Sequence, residues 1–565
     1  MWARSSASAS AHPGRVWVGY RGGGVRALDT RAGALGPPPA LPDVALARTE
    51  VLSLAEHGGA LWIGTTRGVV FGDLTPPRFH SIRGTPAGPL AVPDVMSVHA
   101  SRRTPGVVWA GTVQGGLHRI DRAAGRAERW FDDASHPLSV VFAIHEGADG
   151  DVWLGGQGAT LWRFRPGTGR ADAFPLAPGR GGIVTRLTPS AWAEGHLWVT
   201  TTEAGLVRFD TRARRVVARY DTVPGGVPAA DVWEVAETPD ALWVATDGDG
   251  LWRLDRAEGR AARIKPACDP GDALVSLATA PDGALWIGSK DATLTRLDRA
   301  TGACHTFATR DGLPDETLGA LSIDARGRVW IGTNAGLFRL DPASTTVTAF
   351  TAADGLPSAQ LYWHARDQSP TGDVAFGGAG GLTVFDPLRV LVDETPQPVV
   401  LTGLRVNGEA RPVVPGTPVA LALSHRENDV AFEVAGLDLR QPGKTRYRVR
   451  LRGASDVWEA AGPETRYRAL GPGRYTFEVQ ATNRDGYWSA PLAVPLQIRP
   501  PFWRTVPFWL LVLGAFGGLG YGAHRYRIAQ IERVEQTRRR IADDLHDGIG
   551  SKISSVALRL DMVGR

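Results

Sequence analysis

Cysteine, methionine and tyrosine are scarce in this chain, with two, three and nine copies among 565 residues. Cys268 and Cys304 are too few for the Cys-x-x-Cys pairs of a zinc or redox site. They can form one disulfide between neighbouring blades in an oxidising compartment, or stay two small residues in loops. The Cα separation that decides between these is not written in the sequence. No apolar run of signal-peptide length opens the chain, since Met1–Ser10 reads MWARSSASAS. A concentrated basic patch with interleaved aromatics is also missing. The 63 Lys and Arg are spread along the chain against 58 Asp and Glu, which argues against a nucleic-acid partner. Glycine and tryptophan are abundant instead, at 69 and 19. So much glycine points to many tight turns rather than long helices. The length calls for several domains.

A segment recurs through the first two thirds. It reads VWVGYRGGGVRALD at Val16, LWIGTTRGVVFGD at Leu61, VWAGTVQGGLHRID at Val108 and VWLGGQGATLWRF at Val152. It continues as LWVTTTEAGLVRFD at Leu197, LWVATDGDGLWRLD at Leu242, LWIGSKDATLTRLD at Leu285, VWIGTNAGLFRLD at Val329 and VAFGGAGGLTVFDP at Val374. The aligned positions are Trp17, Trp62, Trp109, Trp153, Trp198, Trp243, Trp286, Trp330 and Ala375, spaced by 43 to 47 residues. That period is the one of propeller blades built from four short strands. In each unit a strand of alternating apolar residues runs into Gly and Thr, turns, and returns as a second strand. The Trp can fill the space between blades, and the Gly after it permits close backbone approach. Left-handed glycines such as Gly336 and Gly381 suit the hairpin turns. Gly22-Gly23-Gly24 belongs to such a turn and is not a phosphate loop.

No unit can bury its faces alone, whereas a ring of units can. Seven units, from Trp109 to Ala375, would close one ring. The units at Trp17 and Trp62 would be left over as the tail of a second propeller. A single larger or irregular ring is the alternative. The connecting loops carry Asp311-Gly-Leu-Pro314 and Asp354-Gly-Leu-Pro357, with looser versions at Gly226-Val-Pro228 and Val92-Pro93.

Over residues 10–390 these blades and linkers resemble the two-component regulator propeller. The resemblance implies a propeller outside the cytoplasmic membrane, and some relatives respond to carbohydrates. The tryptophans are then core, and ligand contacts fall on loops at one face of the ring. No paired carboxylates or histidine cluster recur at a unique place in the blades, which argues against a lyase or glycosidase.

After Pro398 the pattern changes to the alternating strands VVLTGLRV, DVAFEV, TRYRVRL and RYTFEVQAT, spaced for an antiparallel sandwich. Tyr447, Tyr467, Tyr475, Trp458 and the run Asn483-Arg-Asp-Gly-Tyr-Trp488 stand out. Residues 425–500 are similar to the three-tyrosine (YYY) domain that follows such propellers. The tyrosines read as packing residues with a bonded hydroxyl, and the domain as a rigid coupler to the membrane. Val506–Ala523 then gives 18 residues without a charge, enough for a spanning helix. Trp503, Trp509 and Tyr521 lie near its ends, and Arg525, Arg527, Arg533, Arg538, Arg539 and Arg540 follow it. This bias puts the C-terminus in the cytoplasm and the propeller in the periplasm.

From Tyr526 the chain is polar, free of proline and helical in pattern. Ile528, Ile531, Val534, Ile541, Leu545 and Ile549 suit a parallel two-helix seam. The string Arg540-Ile-Ala-Asp-Asp-Leu-His546-Asp547-Gly-Ile-Gly550 resembles the dimerisation and phosphoacceptor helix of histidine kinases of the nitrate-sensor class. The resemblance implies that His546 is phosphorylated and that Asp547 is its acid/base partner. Ser551 stands where phosphatase-active relatives carry Gln or Asn. No nucleotide-binding region follows, so ATP and Mg²⁺ are expected only with a separate or missing catalytic domain, and neither cofactor nor metal site is assigned to this chain.

The expected fold is mainly β: two leftover blades at 1–92, a seven-bladed β-propeller at 93–392 and an Ig-like β-sandwich at 393–500. A transmembrane helix at 506–523 and the start of a kinase phosphoacceptor domain at 524–565 complete it. The whole resembles a sensor histidine kinase truncated at both ends, in the bacterial inner membrane. Its expected partners are a second copy of the chain, a response regulator and an extracytoplasmic ligand, for which the relatives suggest carbohydrate. The rival reading is a membrane-anchored, non-enzymatic binding protein with a remnant kinase tail.

Overall fold

The computed structural model describes residues 5–12, 14–20, 24–35, 50–57, 60–74, 78–85, 88–221, 225–227, 231–438 and 441–561. Met1 to Arg4, Gly22, Gly23 and Pro228, named above, lie outside the described residues. The chain forms two compact units. The first holds residues 1–398 with 436–446 and 481–490; the second holds 399–435, 447–480 and 491–565.

In the first unit, seven four-stranded antiparallel sheets form a closed ring. Their innermost strands are Val95–Ala100, Ala143–Glu146, Val184–Pro189, Val232–Glu237, Leu274–Thr279, Ala320–Ile323 and Leu361–Gln368. Each of these touches the next, and the last touches the first. Two more sheets precede the ring, built from strands between Ser5 and Leu35 and between Val51 and Asp73. The larger single ring therefore does not form.

The ring takes a strand from the stretch expected to hold only leftover blades. Ser81–Arg83 pairs antiparallel with Gly381–Phe385 and becomes the outer strand of the seventh blade. Ser81 Oγ shares a hydrogen bond with Thr383 Oγ1 across 302 positions of sequence. Phe79 anchors the same segment in the core beside Phe350 and Phe385. Three residues carry no blade signature, so residue 93 is not where the ring starts.

Seven of the eight repeat tryptophans are buried among side chains of the following blade, and the eighth, Trp62, is half-buried beside Phe71 of its own sheet. Trp109 packs on Val141, Ile144 and Val152, and Trp286 on Leu318, Leu321 and Ile331. Carboxylates of the next blade also receive the indole N–H of Trp109 (Glu146, 3.4 Å) and Trp198 (Glu237, 2.5 Å). Ala375 replaces the Trp in the seventh blade, and Leu90, Val95 and Val98 share its cluster at the ring closure. In the fifth blade the glycine two places after the Trp is required by packing. A Cβ at Gly288 would come within 2.1 Å of the Leu318 carbonyl oxygen in the next blade. Each Asp-Gly-Leu-Pro loop is a short 3₁₀ turn closed by a left-handed glycine, Gly312 or Gly355. Asp354 accepts the Thr351 N–H at 2.9 Å, and Leu356 is buried.

Cys268 and Cys304 form a disulfide with a Cα separation of 5.9 Å. It does not join the strands of two neighbouring blades: it ties the loop entering the fifth blade to that blade's own outer strand, Cys304–Phe307.

Two segments from the YYY stretch belong to the propeller unit. Asn483 Oδ1 accepts the N–H groups of Asp485 (3.0 Å) and Tyr487 (3.0 Å), which shapes a tight turn. Asp485 then takes both Arg78 nitrogens, at 2.5 and 2.7 Å, and its carbonyl accepts Thr348 Oγ1 at 2.8 Å. Lys444 Nζ reaches Asp354 at 2.6 Å. These charges are nearly dry, and such pairs hold only when both partners are present.

The second unit is a two-sheet sandwich. One sheet has four strands and the other five. Phe432 and Phe477 stack at 4.1 Å in its core. Tyr467 packs edge-on against both, and burial pushes its hydroxyl up to about 12. Tyr475 donates to the Gly471 carbonyl at 3.1 Å. A single unbroken helix, α1, follows over Val506–Asp561. At ~1.5 Å per residue it is about 84 Å long.

Candidate functional site

The innermost strands of the ring bring charged side chains together around a cavity of about 110 Å³. The first blade supplies His99 and Arg102, the second His145, the third Arg186, and the seventh His364, Arg366 and Asp367. Glu234 of the fourth blade adjoins them. His99 Nδ1 lies 3.1 Å from Asp367 Oδ2, while Glu146 N–H donates to His99 Nε2 at 3.3 Å. Arg102 lies 3.6 Å from the same carboxylate oxygen. Arg366 donates to Glu234 at 2.5 Å and to the Leu277 carbonyl at 3.1 Å. Arg186 approaches Glu234 at 3.5 Å and donates to the carbonyls of His364 and Arg366.

The cavity is electropositive. Burial opposes charge on Asp367, but His99, Arg102 and Arg186 outweigh it and hold the carboxyl well below the usual range. His145 is lowered to about 3 by burial, with His99 and Arg102 adding to it. His364 is lowered to about 4 by burial and by Arg186. Neither ring nitrogen of His364 has a hydrogen-bond partner among the described residues, and neither does Arg366 Nε.

Sequence reasoning missed this cluster, although strand register carried a signal. The residue paired with the second position after the repeat Trp is small in four blades: Ser97, Ala143, Ser276 and Ala320. In two others it is Arg186 or Glu234. A charge in a small-residue column marks the inner wall. The signal is invisible until the first strands of all blades are aligned on the second.

The predicted phosphoacceptor residues lie on α1. His546 is 90% exposed, and its Nδ1 is 3.7 Å from Asp547 Oδ1, beyond hydrogen-bond length. Ser551 donates to the Gly548 carbonyl at 3.2 Å. α1 is the one helix among the described residues that is long and apolar enough to cross a membrane. Leu510, Leu511, Leu513, Phe516 and Leu519 are exposed on it, and no protein surface covers them. Below them Ile531, Val534, Ile541, Leu545 and Ile549 form a further exposed apolar series.

Residues 438–499 match the Y_Y_Y domain family. A 151-residue stretch is 24% identical to Histidine kinase P4 of Formosa agariphila, covering 25% of this chain and 11% of that protein. The chain thus spans only a small part of that relative's length. Among solved structures, the extracellular domain of the hybrid two component system BT3049 from B. thetaiotaomicron is similar in fold. It matches with a TM-score of 0.66 at 20% identity, over 86% of this chain and 66% of that one. The extracellular domain of BT4673, described as a one component system of the same organism, reaches 0.46 at 17% identity, over 88% and 70%. The chain thus combines a seven-bladed propeller, a stretch that matches the Y_Y_Y domain and one helix long and apolar enough to cross a membrane.

Proposed function

We propose that this chain is the extracytoplasmic sensing and membrane-spanning part of a two-component sensor histidine kinase, with His546 as its phosphoryl acceptor. The observation that supports it best is the continuity of α1. One helix runs from the apolar segment into the histidine string without a break. Rotation or displacement of the apolar half is therefore carried to His546 without an intervening hinge. Six arginines between Arg525 and Arg540 orient that end toward the cytoplasm.

The chemistry suits the residue types. An exposed imidazole offers a nitrogen nucleophile near neutral pH, and the adjacent carboxylate can take up the proton of the other nitrogen. ATP with Mg²⁺ would be presented by a separate catalytic domain, aligned for in-line transfer. A second copy of the chain is the expected partner along the lower apolar series, and a response regulator receives the phosphoryl group. Ligand binding at the propeller signals only if it favours one of two helix arrangements. Carbohydrates, which the propeller resemblance suggests, are the first ligands to screen.

The test mixes the full-length chain in membranes with labelled ATP, Mg²⁺ and the isolated catalytic domain of a close relative. Label should appear on the wild-type chain and be lost in His546→Gln, while Asp547→Asn should slow it. A folded wild-type chain that takes no label under any condition would instead favour a binding protein with a remnant tail.

A further inference from the structure

We infer that the cavity at the centre of the propeller is a binding site for a small oxyanion. Three observations carry this. The first is charge. Arg102, Arg186 and Arg366 face two carboxylates, because Glu234 serves both Arg366 and Arg186 and Asp367 serves both His99 and Arg102. One positive charge in a partly dry place is left without a counter-charge, a costly arrangement unless an anion enters.

The second is hydrogen bonding. His364 and Arg366 line the cavity, and the two ring nitrogens of His364 and Arg366 Nε have no hydrogen-bond partner among the described residues. Buried polar groups are rarely left so, and the two unfilled donors, one imidazole N–H of His364 and Arg366 Nε–H, match an acceptor-rich ligand. Charge-assisted bonds from guanidinium and imidazole to an oxyanion are among the stronger ones.

The third is size. The cavity, about 110 Å³, has room for sulfate, phosphate or a short carboxylate. Arg102, whose side chain is 39% exposed, stands where a ligand can enter. The site is independent of the kinase reading, since every residue lies within the propeller unit.

Isothermal titration calorimetry on the full-length chain in detergent tests this with sulfate, phosphate, acetate and chloride at constant ionic strength. The expected result is one saturable site per chain for an oxyanion and none for chloride. Sulfate or phosphate binding more tightly than acetate would indicate a tetrahedral ligand, and the reverse a carboxylate. Arg102→Gln should weaken binding about tenfold or more, in line with loss of a charge-assisted contact, while the variant still unfolds in one cooperative transition, at a somewhat lower melting temperature because Asp367 loses a partner. His364→Leu should also weaken it. If that variant does not fold, Arg102→Gln decides the matter. Equal heats from chloride, no saturation by any oxyanion, or unaltered binding in Arg102→Gln would mean a solvent-filled channel and overturn the inference.

Discussion

Gly486 shows how one residue of the Y_Y_Y match answers to the propeller. Its φ is +91°, and a Cβ there would lie 2.4 Å from the Val347 carbonyl oxygen. Gly486→Ala combines backbone strain with overlap and should destabilise the propeller unit by about 1–3 kcal/mol, seen as a lower midpoint in thermal unfolding. The buried histidines make a second prediction. His118 is lowered to about 4 by burial and by Arg129, and neither of its ring nitrogens has a partner among the described residues. With His145 at about 3 and His364 at about 4, the folded chain resists protonation that the unfolded chain accepts near 6.5. Their stability contribution is therefore complete above pH 6.5 and is lost as pH falls toward 4. The melting temperature should drop over that interval, and His118→Leu should flatten the drop. An acid-insensitive melting curve between pH 7 and 4.5 would contradict this.

At the level of elements, the strand Ser81–Arg83 matters out of proportion to its three residues. It covers the edge of Gly381–Phe385, which would otherwise offer unpaired backbone groups to other chains. Removing residues 1–74 should leave a ring that stays monodisperse in size-exclusion chromatography when kept in detergent. Removing residues 1–92 should give a chain that aggregates and melts earlier, because Phe79, Ser81–Arg83 and Leu90 go with it. Similar behaviour of the two deletions would show that the strand is dispensable. The helix α1 is the opposite kind of element. Its pattern was readable residue by residue, because an unaccompanied helix is determined by local propensity and by the solvent that each half demands.

For the whole molecule, the arginine distribution around the apolar half of α1 sets the expected orientation. Protease added to spheroplasts, whose outer membrane has been breached, should cut the propeller side and spare the segment Arg525–Arg540, which becomes sensitive only after the inner membrane is permeabilised. The reverse pattern would invert the sensing direction and remove His546 from any cytoplasmic partner. The same arrangement would leave the central cavity on the outer face, where small anions have direct access to it.

The repeat period, the nine units, the sandwich stretch, the apolar span and the histidine string were all legible in the amino-acid sequence. Each rests on periodicity or composition within a few dozen residues, and the forces behind them are local. What only the tertiary structure decided are the pairings between distant positions. Ser81–Arg83 joins a strand some 300 residues away. Asp485 meets Arg78, and Cys268 meets Cys304. Eight charged or titratable side chains from five blades meet around one cavity. Closing a ring brings together positions that share no local pattern, so the scarce cysteines became a clasp and the scattered arginines an anion site only once the blades had stacked.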